Sequence, residues 1–181
     1  YNRPELTKKV IEVLALIEPA KLYISSDGPA NYSDKRWVAE TRCLFENLTW
    51  KCKVSKLYRD ENFGCRIAVK NGIDWFFENE PYGIILEDDC IRHMTAFPYF
   101  EELLIKYESN EKIMHINGVN YQRGKKHGSN SYYFSKIANI NGWATWRRSW
   151  SLYDRAKEDF EEFSNKNIIA SVFDNIFHKS F

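Results

Sequence analysis

Three consecutive carboxylates, Glu87, Asp88 and Asp89, directly follow the apolar run 84–86. A short apolar run closed by charge is typical of a buried strand that ends at the surface. Three adjacent carboxylates repel one another unless water solvates them or a cation binds among them. Because Mg²⁺ takes oxygen ligands and usually only one or two protein carboxylates, the cluster suits a metal-assisted phosphate site. A solvated junction between strand and loop is the alternative.

The residues before the acids alternate between helical and extended patterns. In chain order they predict a helix from Pro4 to residue 17, a strand at 21–26, a helix capped by Ser33 or Asp34, a strand at 51–58, a helix at 64–79 and the strand that ends at the acids. The spacing allows each helix to cross over between parallel strands. The first half of the chain therefore predicts an α/β fold.

Polar turns follow several of these predicted strands. Asn2-Arg3, Asp27-Gly28 and Asn62-Phe63-Gly64 lie at strand ends or at the starts of the following helices, as the acids do. In open α/β sheets, ligands bind at the carboxyl ends of the strands. Their convergence at one edge favours the functional interpretation of the acids over the solvated junction.

The second half carries weaker patterns. It predicts a helix at 97–107, short strands at 112–116 and 131–134, a helix from about residue 149 and a last helix with an apolar stripe at 168–177. Residues 117–130 predict a loop with a basic centre. That centre either folds over a diphosphate as a lid or is simply solvated.

Length and charge exclude several classes of protein. The 181 residues predict one domain, 1–181, and the formal net charge of +1 gives no sign of nucleic-acid or anionic-membrane binding. No apolar run reaches the length of a membrane span. The four cysteines contain no C-x-x-C pair, which favours reduced thiols in a cytoplasmic protein. Two disulfides in an exported protein are the alternative.

The motifs together resemble the nucleotide-diphospho-sugar glycosyltransferases of the GT-A fold. The resemblance rests on Asn62-x-Gly64, Asn71-Gly72-Ile73 and the run 82–89 that ends in Glu-Asp-Asp. With Asn2-Arg3 and Ser26-Asp27-Gly28, the order is similar to the N-acetylglucosaminyltransferase I family, and the run 142–146 resembles a Gly-Trp segment of bacterial family 2-like relatives. The resemblance implies a three-layer α/β/α sandwich with a mostly parallel, Rossmann-like central sheet.

The resemblance also implies a reaction and a site. A UDP-sugar would donate its sugar to an acceptor hydroxyl of a carbohydrate, glycolipid or glycoprotein, with Mn²⁺ or Mg²⁺ as cofactor and inversion by single displacement, as in polysaccharide biosynthesis. Arg3 and Asp27 would contact the nucleotide base, Asp88 the ribose or sugar, and Glu87 the donor sugar. Asp89 would be the metal ligand.

Two departures from the family pattern stand out. No strand precedes Asn2-Arg3, and no residue matches the general base. Asp174, beside the last apolar stripe, is a weak candidate for that base, whereas Asp154 and Asp159 lie in a charged helical run typical of a surface. The resemblance thus predicts a partial domain that lacks its first strand and its acceptor segment. Segments outside the given sequence could also associate the protein with a membrane.

Two other functions remain open from the sequence. A nucleotidyltransferase of the same fold class would need a glycine-rich phosphate loop near the first strand, and none is visible. A non-catalytic module that binds a sugar or nucleotide would need no general base.

Three pairs of residues have two interpretations each. Arg66 and Lys70 are either nucleotide contacts or solvated charges, and His93 and His115 are either neighbours of a metal or structural histidines. Trp143 and Trp146 either stack on an acceptor sugar or belong to the core.

Overall fold

The computed structural model of the chain describes residues 1–121, 125 and 128–153. In that part the helices are α1 (Pro4–Ile17), α2 (Asp34–Cys43), α3 (Cys65–Asn79), α4 (Ala96–Lys106) and α5 (Arg147–Trp150). The strands are β1 (Lys21–Ser26), β2 (Lys53–Tyr58), β3 (Tyr82–Ile85), β4 (Ile116–Asn117) and β5 (Trp143–Trp146).

The strands form two sheets. β1 and β2 are parallel, in a register that pairs Lys21 with Lys53 and Ser26 with Tyr58. In the second sheet β5 lies between β3 and β4 and is antiparallel to both. The predicted α/β class is confirmed. The predicted three-layer sandwich around one mostly parallel sheet is not confirmed, because the parallel pairing observed is confined to β1 and β2.

Local patterns located most elements of the first half correctly, but three predicted segments differ. Helix α2 ends at Cys43, and Leu48 instead packs beside α1. In the predicted strand 112–116 only Ile116 pairs in a ladder, since Met114 uses its carbonyl to accept from the Thr145 hydroxyl. Residues 131–134 form no strand. The predicted last helix at 168–177 lies outside the described residues.

The centre of the second sheet is buried on both faces. On one face of β5, Ala144 and Trp146 pack against Phe100 of α4, and all three are essentially inaccessible to solvent. On the other face, Trp143 packs against Phe77 of α3. The indole N–H of Trp146 donates to the Leu104 carbonyl at 3.0 Å, so its polar atom is satisfied within the core.

The carboxyl ends of β1 and β2 are joined by Arg42 in the last turn of α2. Its guanidinium donates to the carbonyls of Ser26 (3.2 Å), Asp27 (3.0 Å) and Arg59 (2.7 Å), and also to the Ser26 hydroxyl. The same group lies 4.7 Å from the ring centroid of Tyr58. Arg42 therefore fixes the sheet edge at which the polar turns lie.

We expect Arg42→Lys to lower the free energy of unfolding by about 2 kcal/mol, because a lysine cannot reproduce several directed bonds to buried carbonyls. Arg36→Lys is the matched control. Arg36 lies on the same helix and is exposed, and its guanidinium pairs with Glu40 and lies over the exposed Trp37 ring, so its change should stay within about 0.5 kcal/mol. Urea denaturation of both variants measures the difference, and equal effects would contradict the role given to Arg42.

Candidate functional site

The three predicted acids lie in a turn that follows β3. The amide of Cys90 donates to the Glu87 carbonyl, and that of Ile91 to the Asp89 carbonyl, both at 3.0 Å. The turn places the carboxylates at different depths: the Asp88 side chain is 17% exposed, whereas that of Asp89 is 46% exposed. Asp89, the predicted metal ligand, is thus more accessible than Asp88, the predicted contact of the ribose or sugar.

Arg3, at the start of α1, binds two of the acids. Its Nη2 lies 2.5 Å from Asp88 Oδ1 and its Nη1 lies 2.9 Å from Asp89 Oδ2. The amino group of Tyr1 lies 2.8 Å from Asp88 Oδ2. The structure therefore brings together Arg3, Asp88 and Asp89, which are more than 80 residues apart in sequence. Contact between Arg3 and a nucleotide base stays a prediction.

Glu87 occupies a different environment from its neighbours. It is half-buried, and this burial raises the pKa of its carboxyl, with further increases from the charges of Asp89 and Asp88. Arg3 acts in the opposite direction. The raised pKa favours a proton on the Glu87 carboxyl relative to a solvated glutamate, which suits a hydrogen-bonding partner for a sugar hydroxyl.

Asp27 has a structural role that extends beyond the Asp-Gly-Pro turn in which the sequence places it. The residue is buried, and its carboxylate accepts hydrogen bonds from the amides of Gly28, Phe63 and Gly64 at 3.0–3.1 Å. Asn62 supports the same loop by donating to the Gly28 carbonyl at 2.8 Å. Asp27 thus ties the end of β1 to the start of α3, and a nucleotide contact would compete with these bonds.

A cavity of about 340 Å³ lies beside Asp89. Its wall is formed by residues that follow the acids, by residues just after β4 and by one residue just before β5. They include Asp89, Cys90, Arg92, Val119, Tyr121 and Asn141. Of these only Asp89 was a predicted site residue. Arg92 is three residues from it in sequence, but nothing in the sequence indicated Tyr121 or Asn141.

The remaining candidate residues differ in how far the structure decides between their two interpretations. Trp143 and Trp146 are core residues, which excludes them as open sugar platforms in this structure. His115 bonds the Asn139 carbonyl and stacks on Trp143, and burial lowers the pKa of its imidazole. His93 contacts the Thr95 hydroxyl, Lys70 pairs with Asp74, and Arg66 is exposed on α3. The candidate bases Asp154, Asp159 and Asp174 lie outside the described residues.

The acid cluster fits a metal only in part. Within the described residues, no group of three or more His, Cys, Asp or Glu side chains is arranged to hold a metal ion. Asp89 nevertheless already binds a cationic group, the Arg3 guanidinium. A single carboxylate suffices when a diphosphate supplies the other oxygens. Asp89 therefore fits the predicted Mn²⁺ or Mg²⁺ if Arg3 moves away from it.

Comparison of the chain with protein-family models, with curated proteins and with solved structures finds no match in any of the three. Among the residues described, no helix combines the length and apolar character needed to cross a membrane.

We expect Asp27→Asn to lower the free energy of unfolding by about 1–3 kcal/mol, because it removes the negative charge that accepts from three backbone amides and places an NH2 group where one of the accepting oxygens was. Asn62→Ala, which removes the neighbouring support, should cost less since that side chain contributes fewer bonds to the loop. Chemical denaturation measures both. A neutral Asp27→Asn would show that the carboxylate does not hold the loop.

We expect Glu87→Gln to stabilise the protein at neutral pH and to have no effect at low pH. Because the pKa of Glu87 is higher in the folded than in the unfolded state, the free energy of unfolding is unaffected by Glu87 below the unfolded-state pKa. It decreases as pH rises through the folded-state pKa, where the buried carboxyl must ionise. Glutamine removes that decline. Urea denaturation of both proteins between pH 4 and 8 measures the difference.

Glu80→Gln is the control with the opposite sign. Its hydrogen bond from Lys21 is the main cause that lowers the pKa of Glu80, and Tyr23 also donates to it. Glu80 therefore contributes stability above its unfolded pKa and loses it as pH falls through the folded pKa. The substitution should destabilise at neutral pH only. The same sign for both variants would contradict the different environments of the two carboxyls.

Proposed function

We propose that the chain is a metal-dependent glycosyltransferase domain that uses a nucleotide-diphospho-sugar, with UDP as the nucleotide. The observation that carries this proposal is the assembly of Arg3, Asp88 and Asp89 at the end of β3, beside a cavity of about 340 Å³. The site thus combines carboxylates for a cation, a cationic side chain and space for a ligand. The resemblance of the motifs to GT-A enzymes supports the same conclusion.

The residues divide the work of binding the donor. Asp89 holds Mn²⁺ or Mg²⁺, and Asp88 and the half-buried Glu87 bind the ribose and the sugar. Arg3, released from the acids, contacts the nucleotide base. When bound, the metal supplies positive charge that stabilises the departing diphosphate. Asp27 contributes indirectly, since it holds the loop at the sheet edge.

The acceptor is a hydroxyl of a carbohydrate, glycolipid or glycoprotein. Attack of that hydroxyl on the anomeric carbon inverts its configuration, and the hydroxyl proton passes to a general base. None of the described acids is assigned to that role. Asp174 remains a weak candidate.

A binding module without catalysis is the second candidate. The observation in its favour is that Asp88 and Asp89 are both already bound by Arg3. A module would bind the nucleotide or sugar, and it would not release UDP from a UDP-sugar.

We expect Mn²⁺ to raise the affinity for UDP by about tenfold or more, and Asp89→Ala to abolish this gain, because the metal joins the carboxylate to the diphosphate. Isothermal titration with UDP, with and without Mn²⁺, measures both effects. Glu101→Ala, which removes an exposed carboxylate on α4, is the control and should keep the full gain.

Two outcomes would count against the proposal. If UDP binds equally well without Mn²⁺, or if Asp89→Ala keeps the metal-dependent gain, Asp89 is not the metal ligand. Slow release of UDP from UDP-sugars by the chain then separates a transferase from a module, since only the transferase breaks the glycosidic bond of the donor.

A further inference from the structure

Arg92 is the charged side chain that the cavity beside Asp89 adds to the predicted site. Its Nη2 donates to the carbonyl of Asn141, in the segment that leads into β5. Its Nε is buried and has no acceptor among the residues that the structure describes. A buried donor without an acceptor costs about 1–3 kcal/mol, and more for a charged group. The guanidinium is therefore held in place with unused capacity to donate.

The backbone before β5 is shaped around this guanidinium. Gly142 has φ +56°, in the left-handed region that favours glycine. A Cβ at this position would collide with the Arg92 head group. A larger residue would therefore displace the guanidinium from the cavity wall. Close packing against Gly142 makes Arg92 a positioned group rather than a solvated surface arginine.

The cavity is distinct from the ion pairs of Arg3. Among the described residues its wall includes Asp89 and Arg92, but neither Arg3 nor Asp88. Asp89 thus binds one guanidinium, that of Arg3, and shares the cavity wall with a second, that of Arg92. Tyr121 and Asn141 add neutral polar groups, and the Asn141 amide donates to the Tyr121 hydroxyl at 3.3 Å. The tyrosine hydroxyl can still donate a hydrogen bond to a ligand.

We propose that this cavity binds a phosphate-type oxyanion through Arg92. A guanidinium matches the geometry of phosphate oxygens, and Arg92 contributes this group to the cavity wall. Asp89 in the same wall repels a bare anion, so binding of the anion alone is weak and is strengthened when the charge of Asp89 is removed or neutralised. Identification of the oxyanion as the donor's diphosphate rests on the proposed function.

The test is titration with inorganic pyrophosphate at low ionic strength without divalent metal. Arg92→Gln should weaken binding by about tenfold or more, and Arg92→Lys by less, because lysine keeps the charge without the planar donors. Asp89→Asn should tighten binding by about threefold or more, since it removes the repelling charge. This gain keeps the test decisive even where an Arg92 variant folds poorly.

Arg36→Gln, at an exposed arginine of α2, is the matched control and should leave pyrophosphate affinity unchanged. Unchanged binding in Arg92→Gln, or weaker binding in Asp89→Asn, would overturn the oxyanion site. Competition identifies the source of the anion: displacement of pyrophosphate by UDP supports the donor, and simultaneous binding overturns that assignment. Because no metal is present, failure here is separate from failure of the Mn²⁺-dependent binding of UDP.

Discussion

The carboxylate of Asp27 is the contact on which the carboxyl edge of the parallel sheet depends. It accepts from three backbone amides and so joins the end of β1 to the loop that begins α3. Arg42 holds the same edge from the other side, through the carbonyls of the residues that end both strands. Because a buried charge must be fully bonded to be tolerated, this arrangement permits little variation in the position of the loop.

Helix α3 carries this constraint to the acids. Its Phe76 ring packs edge-on against Tyr23 of β1, with centroids 5.1 Å apart, and lies where a Cβ on Gly83 of β3 would be. Glu80, just after the helix, accepts from Tyr23 at 2.9 Å. The helix therefore sets β1 and β3 relative to each other although the two strands belong to different sheets. This packing therefore determines the position of the acidic turn at the end of β3.

The sequence predicted best where the structure depends on neighbours in the chain. Helices α1 and α3 and strand β1 have strong local periodicity and were located to within about a residue or two. Strand β5 was missed, because its residues are buried on both faces and therefore show no alternation. Its partners β3 and β4 are also distant in sequence. The sequence shows the acid cluster directly, and its proximity to Arg3 was expected because both were placed at one edge of the predicted sheet. The bonds of Asp27 and the cavity of Arg92 and Asn141 instead depend on tertiary contacts that no local pattern encodes.

The two ion pairs of Arg3 oppose the roles proposed for Arg3 and Asp89 to different degrees. Arg3 binds Asp89, yet the proposed function needs Asp89 for a metal and Arg3 for the nucleotide. The Arg3 and Asp89 side chains are 47% and 46% exposed, and an ion pair between exposed groups contributes only about 0–1 kcal/mol. A divalent cation that brings diphosphate oxygens with it outweighs so small a term. In the proposed function, binding of the metal at Asp89 would break only this pair, because Arg3 also binds Asp88, whose side chain is 17% exposed. The proposed contact with the base therefore requires Arg3 to leave Asp88 as well, and the Arg3–Asp88 pair opposes that step more strongly than the exposed pair with Asp89.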